Sequence, residues 1–352
     1  MNKQLFPGVP LALGAAALFG ASTPLSKWLI GSVDAWLLAG ILYFGAGFGL
    51  LAVQSFKRLL KRPVAEAPLR SQDLPWLALV VIFGGIAGPV LLMLGLASTE
   101  ASSASLLLNL EGVATMLIAW VVFRENVDHR LLVGAFAIVA GAALLSWSGG
   151  AMKLSQGTLF IAAACVAWGI DNNLTRKLSS SDPVQIVIVK GLVAGLVNIG
   201  LANAMGAQMP AIGTALAGAL VGFFGVGVSL VMFMLALRHL GTARTGAYFS
   251  TAPFVGAALS LILFSEPLSL QLVAAALLMA IGVWLHVSER HEHEHTHAEL
   301  AHEHRHSHDE HHQHEHLQDE ATSEPHTHWH VHKPIRHKHP HYPDIHHRHG
   351  HT

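Results

Sequence analysis

The chain has 352 residues, of which 52% are hydrophobic and only 12% are charged, and its formal net charge at pH 7 is -1. Soluble domains carry about 25% charged residues, so this composition and a mean hydropathy of +0.46 exclude an ordinary soluble protein and indicate a membrane protein. The single cysteine, Cys165, excludes an intramolecular disulfide and a multi-cysteine metal site.

Apolar stretches of about 20 residues, the length that spans a bilayer, recur from the N-terminal region to residue 288. No small-residue cleavage site follows the first one, so we interpret it as a span and not as a removed signal peptide. Interruptions at Pro24, Gly88-Pro89 and Pro253 leave backbone groups that need protein or water partners, as in helices that line cavities. The ten predicted spans are 9–30, 34–55, 74–96, 101–123, 130–148, 157–176, 184–204, 211–237, 244–264 and 268–288.

Lysine and arginine are concentrated in alternate loops, which predicts the orientation of the spans. The opposite loops offer little beyond Lys27 and Lys153. The basic loops therefore face the cytoplasm, and with ten spans both termini are cytoplasmic, in the inner membrane of a bacterium. The basic residues of these loops are Lys57, Arg58, Lys61, Arg62, Arg70, Arg124, Arg130, Arg176, Lys177, Arg238 and Arg244.

Two stretches of the first half have counterparts in the second half. The apolar stretch 99–127 resembles 242–268, so that residues 123–126 lie over residues 264–267. The stretch 15–29 aligns with 164–178, which places Phe19 over Trp168 and Lys27 over Arg176. This duplication gives each half five spans, and an odd number means that the halves are inverted relative to each other.

The predicted fold is therefore an all-α membrane protein with ten transmembrane helices in two inverted five-helix repeats, followed by a separate tail. The first repeat covers residues 9–148 and the second covers residues 157–288. The lipid bilayer is the partner that this fold requires, and whether the protein forms a homodimer stays open.

Glu111 lies near the middle of the fourth span, where an ionisable residue is costly and usually faces a polar cavity or a partner. In the second repeat the equivalent position holds Ala252. One hypothesis is that Glu111 binds a cation and exchanges it for a proton; the alternative is a neutral, hydrogen-bonded carboxyl group that orders packing. Asn109, two residues earlier, is a second candidate, although on a regular helix it points away from Glu111.

A second polar group lies in the sixth and seventh spans. Asp171, followed by two asparagines, supplies oxygen ligands within the membrane or belongs to an interfacial cluster with Arg176 and Lys177. Lys190 lies well inside an apolar run, and it pairs with Glu111 or Asp171 or extends to the interface. The candidate transport and proton-coupling residues are thus Glu111, Asp171, Asn109 and Lys190.

Residues 289–352 differ in composition from the rest of the chain. They hold every one of the 26 histidines except His129, His239 and His286, and they contain almost no aliphatic residues. Such a segment cannot bury a core, so we expect a disordered cytoplasmic tail. Histidines that alternate with other residues can surround an ion, and imidazole suits nickel, cobalt, zinc and copper without selecting among them. The candidate metal ligands are His291, His293, His295, His297, His302, His304, His306, His308, His326, His328, His330 and His332.

The end of the second repeat reads APFVGAALSLILFSEPLS, from Ala252 to Ser269. Together with two five-span repeats over residues 9–288, it resembles the EamA group of the drug/metabolite transporter superfamily. The first repeat departs from that pattern, since Leu110-Glu111-Gly112 stands where the family usually has proline. The combination with a histidine-rich tail is similar to the nickel and cobalt exporters of the superfamily.

These patterns and the resemblance predict a secondary transporter and not an enzyme, because no phosphate loop and no nucleophile with a base is found. We expect proton-coupled efflux of a divalent transition metal, nickel or cobalt and also zinc, with no resident cofactor and no nucleic-acid partner. Two alternatives stay open: an exporter of a small metabolite or drug with a metal- or pH-sensing tail, and a membrane-anchored metal store or sensor without flux.

Overall fold

The computed structural model describes residues 8–60, 69–124, 127–147, 155–178, 181–288, 292–296, 300–306, 326–332 and 336–340. Up to residue 288 the described elements are helical. They are α1 (Gly8–Ile30), α2 (Ala35–Leu59), α3 (Leu74–Val80), α4 (Gly88–Ser98), α5 (Ala101–Leu107), α6 (Leu110–Phe123), α7 (His129–Leu145), α8 (Gln156–Thr175), α9 (Pro183–Ala204), α10 (Ile212–Gly222), α11 (Ser229–Phe249), α12 (Ala252–Phe264) and α13 (Leu270–Val287). Short 3₁₀ turns cover Ser71–Asp73 and Arg176–Leu178, and π-helical segments cover Val81–Ala87 and Phe223–Val228.

Among the described residues, seven helical stretches are long and apolar enough to cross a membrane. Two further apolar helices, His129–Leu145 and Ala252–Phe264, are shorter. These helices confirm a multi-pass membrane protein, whereas the count of ten spans and the inverted relation of the halves stay predictions.

The helices of the two halves alternate with one another in space. Helix α1 packs against α11 and α12, and α8 packs against α4 and α6, so the first helix of each half contacts the other half. Two further close pairs, α2 with α9 and α7 with α13, also join the halves. Any group between α6 and α8 therefore lies at the boundary between the two sequence repeats.

Local backbone features recur at equivalent positions of the two repeats. Arg124 and Ser265, which end α6 and α12, are the two non-glycine residues with left-handed backbone in the described chain, with φ of 55° and 50°. A π-helical segment precedes α4 in one half and α11 in the other. Phe19 and Trp168, aligned in sequence, contact each other edge to face with ring centroids 6.3 Å apart. These features support the duplication inferred from sequence.

Glycine permits the close approach of α7 and α13. A Cβ on Gly134 would lie 2.8 Å from the carbonyl oxygen of Gly282, and a Cβ on Gly282 would lie 2.6 Å from that of Gly134. Both distances are too short for a side chain, so the two backbones touch as small residues allow in membrane bundles.

One sequence expectation about the helices is wrong. Pro24 does not interrupt the first span, because α1 runs continuously from Gly8 to Ile30 with Pro24 inside it. The boundary predicted between residues 237 and 244 lies within the helical stretch α11. The rings of Phe233 and Phe249 nevertheless lie only 4.7 Å apart, whereas 16 residues of straight helix would span about 24 Å, so the chain reverses direction between them.

The tail contributes four strands, β1 (Glu292–Thr296), β2 (Leu300–His306), β3 (His326–His332) and β4 (Arg336–Pro340). Strand β1 pairs antiparallel with β4, and β2 pairs antiparallel with β3. The register places His302 opposite His330 and His304 opposite His328. The expected disorder of the tail is therefore not confirmed, and His291, His297 and His308 lie outside the described residues.

Candidate functional site

A buried ion pair joins helices α8 and α9. The Nζ of Lys190 lies 2.5 Å from Oδ2 of Asp171, and the two side chains are 7% and 8% exposed. Thr175, one helical turn after Asp171, donates a hydrogen bond of 3.3 Å to the other carboxylate oxygen. Of the two partners considered for Lys190, Glu111 and Asp171, the structure therefore shows Asp171.

The first π-helical segment packs directly against this pair. Gly84 lies so close to the Asp171 carboxylate that a Cβ at position 84 would overlap it. The Gly84 carbonyl oxygen accepts hydrogen bonds from the Tyr43 hydroxyl at 2.7 Å and from Nε1 of Trp168 at 3.2 Å. A π-helical turn frees backbone carbonyl groups from the regular helical pattern, and such turns are frequent at functional sites. Here two buried side chains satisfy the freed group.

The equivalent contact between the second π-helical segment and α1 carries no such charge. Gly225, in the second π-helical segment, approaches Ser22 of α1 as Gly84 approaches Asp171. Ser22 aligns with Asp171 in the sequence repeat and donates its hydroxyl to the carbonyl oxygen of Phe19 at 2.6 Å. The two halves thus share a packing arrangement, and only one contact holds a carboxylate.

Glu111 lies in the first turn of helix α6, which packs against α8. Its Oε1 accepts a hydrogen bond of 2.9 Å from the Asn172 side chain, which also donates to the Thr115 hydroxyl at 3.2 Å. The Thr115 hydroxyl in turn donates to the backbone carbonyl oxygen of Glu111 at 2.8 Å. Glu111 is half-buried and Asn172 is exposed, so the carboxylate has one side-chain amide partner and retains access from outside the protein.

Glu111 lies next to the ion pair. Asn172, which donates to the Glu111 carboxylate, directly follows Asp171 in α8. Glu111 comes from the first half of the chain, whereas Asp171 and Lys190 come from the second half. We refer to Glu111, Asp171 and Lys190, with Asn172 and Thr115, as the central polar site.

Asn109 does not join this site. The predicted fourth span is broken between Leu107 and Leu110, and Asn109 lies at the break. Its amide donates to the carbonyl oxygen of Leu106 at 2.9 Å and contacts the sulfur of Met279 at 3.8 Å. Asn109 is buried, and these contacts give it a structural role at the break.

A metal centre built from protein ligands is not seen in the part of the chain whose side chains the structure describes. No three histidine, cysteine, aspartate or glutamate side chains converge there in a way that could hold a metal ion. At the central polar site, Asp171 is bound by Lys190.

The sequence profile of the EamA-like transporter family matches the chain twice, over residues 6–147 and 155–288. The chain belongs to the EamA-like transporter family. The two matches coincide with the two halves defined by the internal repeat, and together they include every residue of the central polar site.

Relatives of this EamA-family chain include an uncharacterised transporter of Methanothermobacter thermautotrophicus, 27% identical over 77% of this chain and 83% of that protein. A probable terminal-alkyne amino-acid exporter of Streptantibioticus cattleyicolor is 28% identical over 49% of this chain and 50% of its own length. A probable 4-amino-4-deoxy-L-arabinose-phosphoundecaprenol flippase subunit, ArnE, of Pseudomonas paraeruginosa is 42% identical over 32% of this chain and 94% of its own.

A solved structure superposes on this EamA-family chain with a TM-score of 0.57, covering 79% of this chain and 95% of the other at 18% identity. At that identity the likeness shows the fold alone. The fold and the family thus define a multi-pass membrane transporter.

Two residues that shape the site were not predicted from the sequence. Thr115, one helical turn after Glu111, binds its backbone carbonyl group and accepts from Asn172, and Gly84 leaves room for Asp171. Asn172 was part of the predicted polar group around Asp171, and it donates to the Glu111 carboxylate. Gly84 is one of 33 glycines, and nothing in the local sequence distinguishes it.

Proposed function

We propose that this protein is a proton-coupled secondary exporter of a small organic solute, and that Glu111 carries the coupling proton. The observation that carries the proposal is the position of Glu111 between the two halves, hydrogen-bonded through Asn172 and beside the Asp171–Lys190 pair. An intramembrane carboxylate in such a place is typical of ion pathways and proton relays.

Proton exchange at Glu111 follows from its neighbours. Lys190 is already neutralised by Asp171, so Glu111 is the acidic group of the site that has no cationic partner among the described contacts. A carboxylate without a partner charge in a membrane interior gains by binding a proton or a cationic group. Solute binding and proton binding at Glu111 would then exclude each other, which is the condition for coupled exchange.

The ligands of the site favour an organic solute over a metal ion as cargo. Asp171 is bound by Lys190, and no three histidine, cysteine, aspartate or glutamate side chains converge among the described residues, so a divalent metal ion at Glu111 would lack a full set of such ligands there. A polar molecule that carries both hydrogen-bond donors and acceptors suits a site with an acidic, a basic and an amide group. The names of two relatives, an amino-acid exporter and a flippase subunit for an amino-sugar lipid, are compatible with this class of cargo.

Efflux of nickel, cobalt or zinc is the second candidate, and the histidine-rich segment 289–352 is the observation that favours it. In this hypothesis the tail collects ions on the cytoplasmic side of a bacterial inner membrane and delivers them to the central polar site. A tail that only stores or senses metal is the further alternative. All three hypotheses predict metal binding by the tail, so binding alone does not separate them.

Flux measurements in proteoliposomes test the proposal. We expect the purified protein to move a small amino-acid-like or drug-like solute from a panel, at a rate that follows an imposed proton gradient. Nickel, cobalt and zinc form the second arm of the same experiment, with and without residues 289–352. Gradient-driven metal flux in the absence of any organic flux would replace the first candidate by the second, and no flux in either arm would favour the store or sensor.

A further inference from the structure

Four aromatic side chains form a continuous row in the interior of the helical bundle. Phe19 meets Trp168 edge to face, with ring centroids 6.3 Å apart. Phe19 also contacts Phe249 at 5.4 Å between centroids, and Phe249 contacts Phe233 at 4.7 Å. We call these four residues the aromatic row. The row joins α1 and α8, which are aligned in the sequence repeat, to α11.

Trp168 connects the aromatic row to the central polar site. Asn172, whose amide donates to the Glu111 carboxylate, follows Trp168 by four residues in α8. Residues four apart are neighbours on one face of a helix, with about 5–6 Å between their Cβ atoms. Trp168 also donates to the carbonyl group of Gly84, which lies against the Asp171 carboxylate. The acidic group and the aromatic row are therefore about one helical turn apart.

The exposed surface of Asn172 faces a space inside the bundle. Helix α8 has exposed apolar positions along one face, as expected where a helix meets lipid, at Leu159, Ala163 and Val166. At 3.6 residues per turn, Asn172 lies about 120° or more from each of them around the helix axis. Asn172 is exposed as well, so its amide is accessible from the interior of the protein.

Phe19 has the same relation to the lipid-facing side of α1. The exposed positions along that helix include Leu13, Ala17 and Trp28, which share one face. Phe19 lies about 120° or more from each of them and is half-buried, so part of its ring is open to the interior. Because Phe19 contacts Trp168, one turn from Asn172, the open parts of Phe19 and Asn172 border one internal space.

We propose that the central polar site and the aromatic row together bind an arylalkylamine, a cation that carries an aromatic ring. This inference rests on the proposed function and names the class of its cargo. The ammonium group donates to the Glu111 carboxylate, a charge-assisted bond that is stronger than one between neutral groups. The ring packs on the open part of Phe19, beside Trp168 and Phe249. A linker of two or three carbon atoms spans the distance of about one helical turn between the two contacts.

The charges and the accessible ring surface favour this class over others. A carboxylate on the cargo would meet two acidic groups, Glu111 and Asp171, and Lys190 is already bound to Asp171. An aliphatic amine would bind Glu111 but would gain no ring-to-ring contact. Aromatic residues often do no more than fill a core. Here, however, Phe19 retains accessible surface next to a carboxylate that is itself accessible.

Three matched probes, titrated into the full-length protein in detergent, test the proposal. Phenethylamine carries both the ring and the charge, cyclohexylethylamine replaces the ring by a non-aromatic group of similar size, and phenylpropionate reverses the charge. Calorimetry measures the affinities after subtraction of the heat from empty micelles. We expect phenethylamine to bind about two- to tenfold tighter than cyclohexylethylamine, as an aromatic pair contributes. It should bind at least about tenfold tighter than phenylpropionate, because the anion cannot donate to Glu111.

Variants separate the contribution of the rings from that of the charge. Phe19→Leu and Phe249→Leu each remove one ring and keep an apolar side chain, so the preference between the two amines should fall towards one. Glu111→Gln should weaken both amines about tenfold and leave that preference unchanged. Phe136→Leu is the matched control, because Phe136 is 74% exposed on α7 and lies outside the aromatic row. It should bind all three probes as the unmodified protein does, and unfolding temperatures show which variants are folded.

Four results would overturn the proposal. The first two need only the unmodified protein: equal affinity for the two amines, or binding of phenylpropionate as tight as that of phenethylamine. The third is a preference for phenethylamine that persists in folded Phe19→Leu and Phe249→Leu. The fourth is an equal loss of that preference in Phe136→Leu, which would place the ring at the lipid-facing surface.

The outcome is separable from that of the flux experiment. Gradient-driven flux of another organic solute would uphold the proposed function even if the protein showed no preference for phenethylamine. Conversely, ring-selective binding that depends on Glu111, without gradient-driven flux of any organic solute, would uphold the binding site and overturn the proposed export.

Discussion

Asp171 and Lys190 meet at 2.5 Å between two neighbouring helices, and less than a tenth of either side chain is exposed. Removal of two charges from water is costly, and it is tolerated when each charge has a close partner of opposite sign. In the proposed function, this pairing leaves Glu111, on the facing helix, as the acidic group that binds the proton or the cargo. This relationship between the pair and Glu111 is the basis of the predictions about transport.

Breaking the ion pair from either side should destabilise the protein. Asp171→Asn leaves Lys190 buried without a countercharge, and Lys190→Met leaves Asp171 in the same situation. We expect each variant to lose about 3–5 kcal/mol of unfolding free energy. Thermal unfolding of the purified protein in detergent measures the loss.

The double variant Asp171→Asn/Lys190→Met is the control for this prediction. It contains no unpaired charge, so we expect it to recover most of the stability while remaining unable to transport. A double variant as unstable as either single variant would show that the pair is not the source of the effect. Normal flux in the double variant would restrict the pair to a structural role.

Glu111→Gln should abolish gradient-driven flux in a folded protein. Glutamine keeps the size of the side chain and can still accept the hydrogen bond from Asn172, but it cannot bind and release a proton. The measurement is flux into proteoliposomes with and without an imposed pH gradient. Glu100→Gln removes an exposed carboxylate of the same size and should transport normally, whereas full gradient-driven flux by Glu111→Gln would remove this residue from the coupling mechanism.

Gly84→Ala should disturb the central polar site, because position 84 has no room for a side chain. The added methyl group would overlap the Asp171 carboxylate, which Lys190 and Thr175 hold in place. We expect a loss of about 1–3 kcal/mol in stability, as for other overpacked positions, together with a loss of flux.

Gly112→Ala is the comparison for that variant. A Cβ on Gly112 meets no atom within 4 Å, and Gly112 lies within helix α6. Alanine favours a helix over glycine, so the unfolding temperature of Gly112→Ala should be unchanged or higher. Equal losses of stability in Gly84→Ala and Gly112→Ala would mean that the close contact of Gly84 with Asp171 is not the cause of the loss.

Deletion of residues 289–352 should separate the tail from the transporter. Because the residues of the central polar site all precede the tail, we expect the truncated protein to insert and to keep its flux. If metal is the cargo, cells with the truncated protein should show weaker resistance at limiting metal concentrations without losing transport. Complete loss of flux from a correctly inserted truncation would give the tail a direct part in the transport cycle.

The sequence by itself determined that this is a multi-pass membrane protein, and it singled out Glu111 as a candidate site residue. Hydrophobicity over about 20 residues is a local property, so it predicted the membrane spans without knowledge of contacts. The alignment of residues 123–126 with 264–267 placed Arg124 over Ser265, and the structure gives both residues a left-handed backbone. Glu111 stood out because a carboxylate is rare in such a span.

The tertiary structure decided which of these residues act together. Lys190 had two candidate partners, and the choice of Asp171 depends on the rotation and depth of α8 and α9, which no local pattern specifies. The acceptors for the first N–H groups of α5 were likewise not evident, since Glu266 supplies them to Ala101 and Ser102 from the other half of the chain. Long-range contacts of this kind depend on how the two halves pack, and that packing is set by the whole sequence at once.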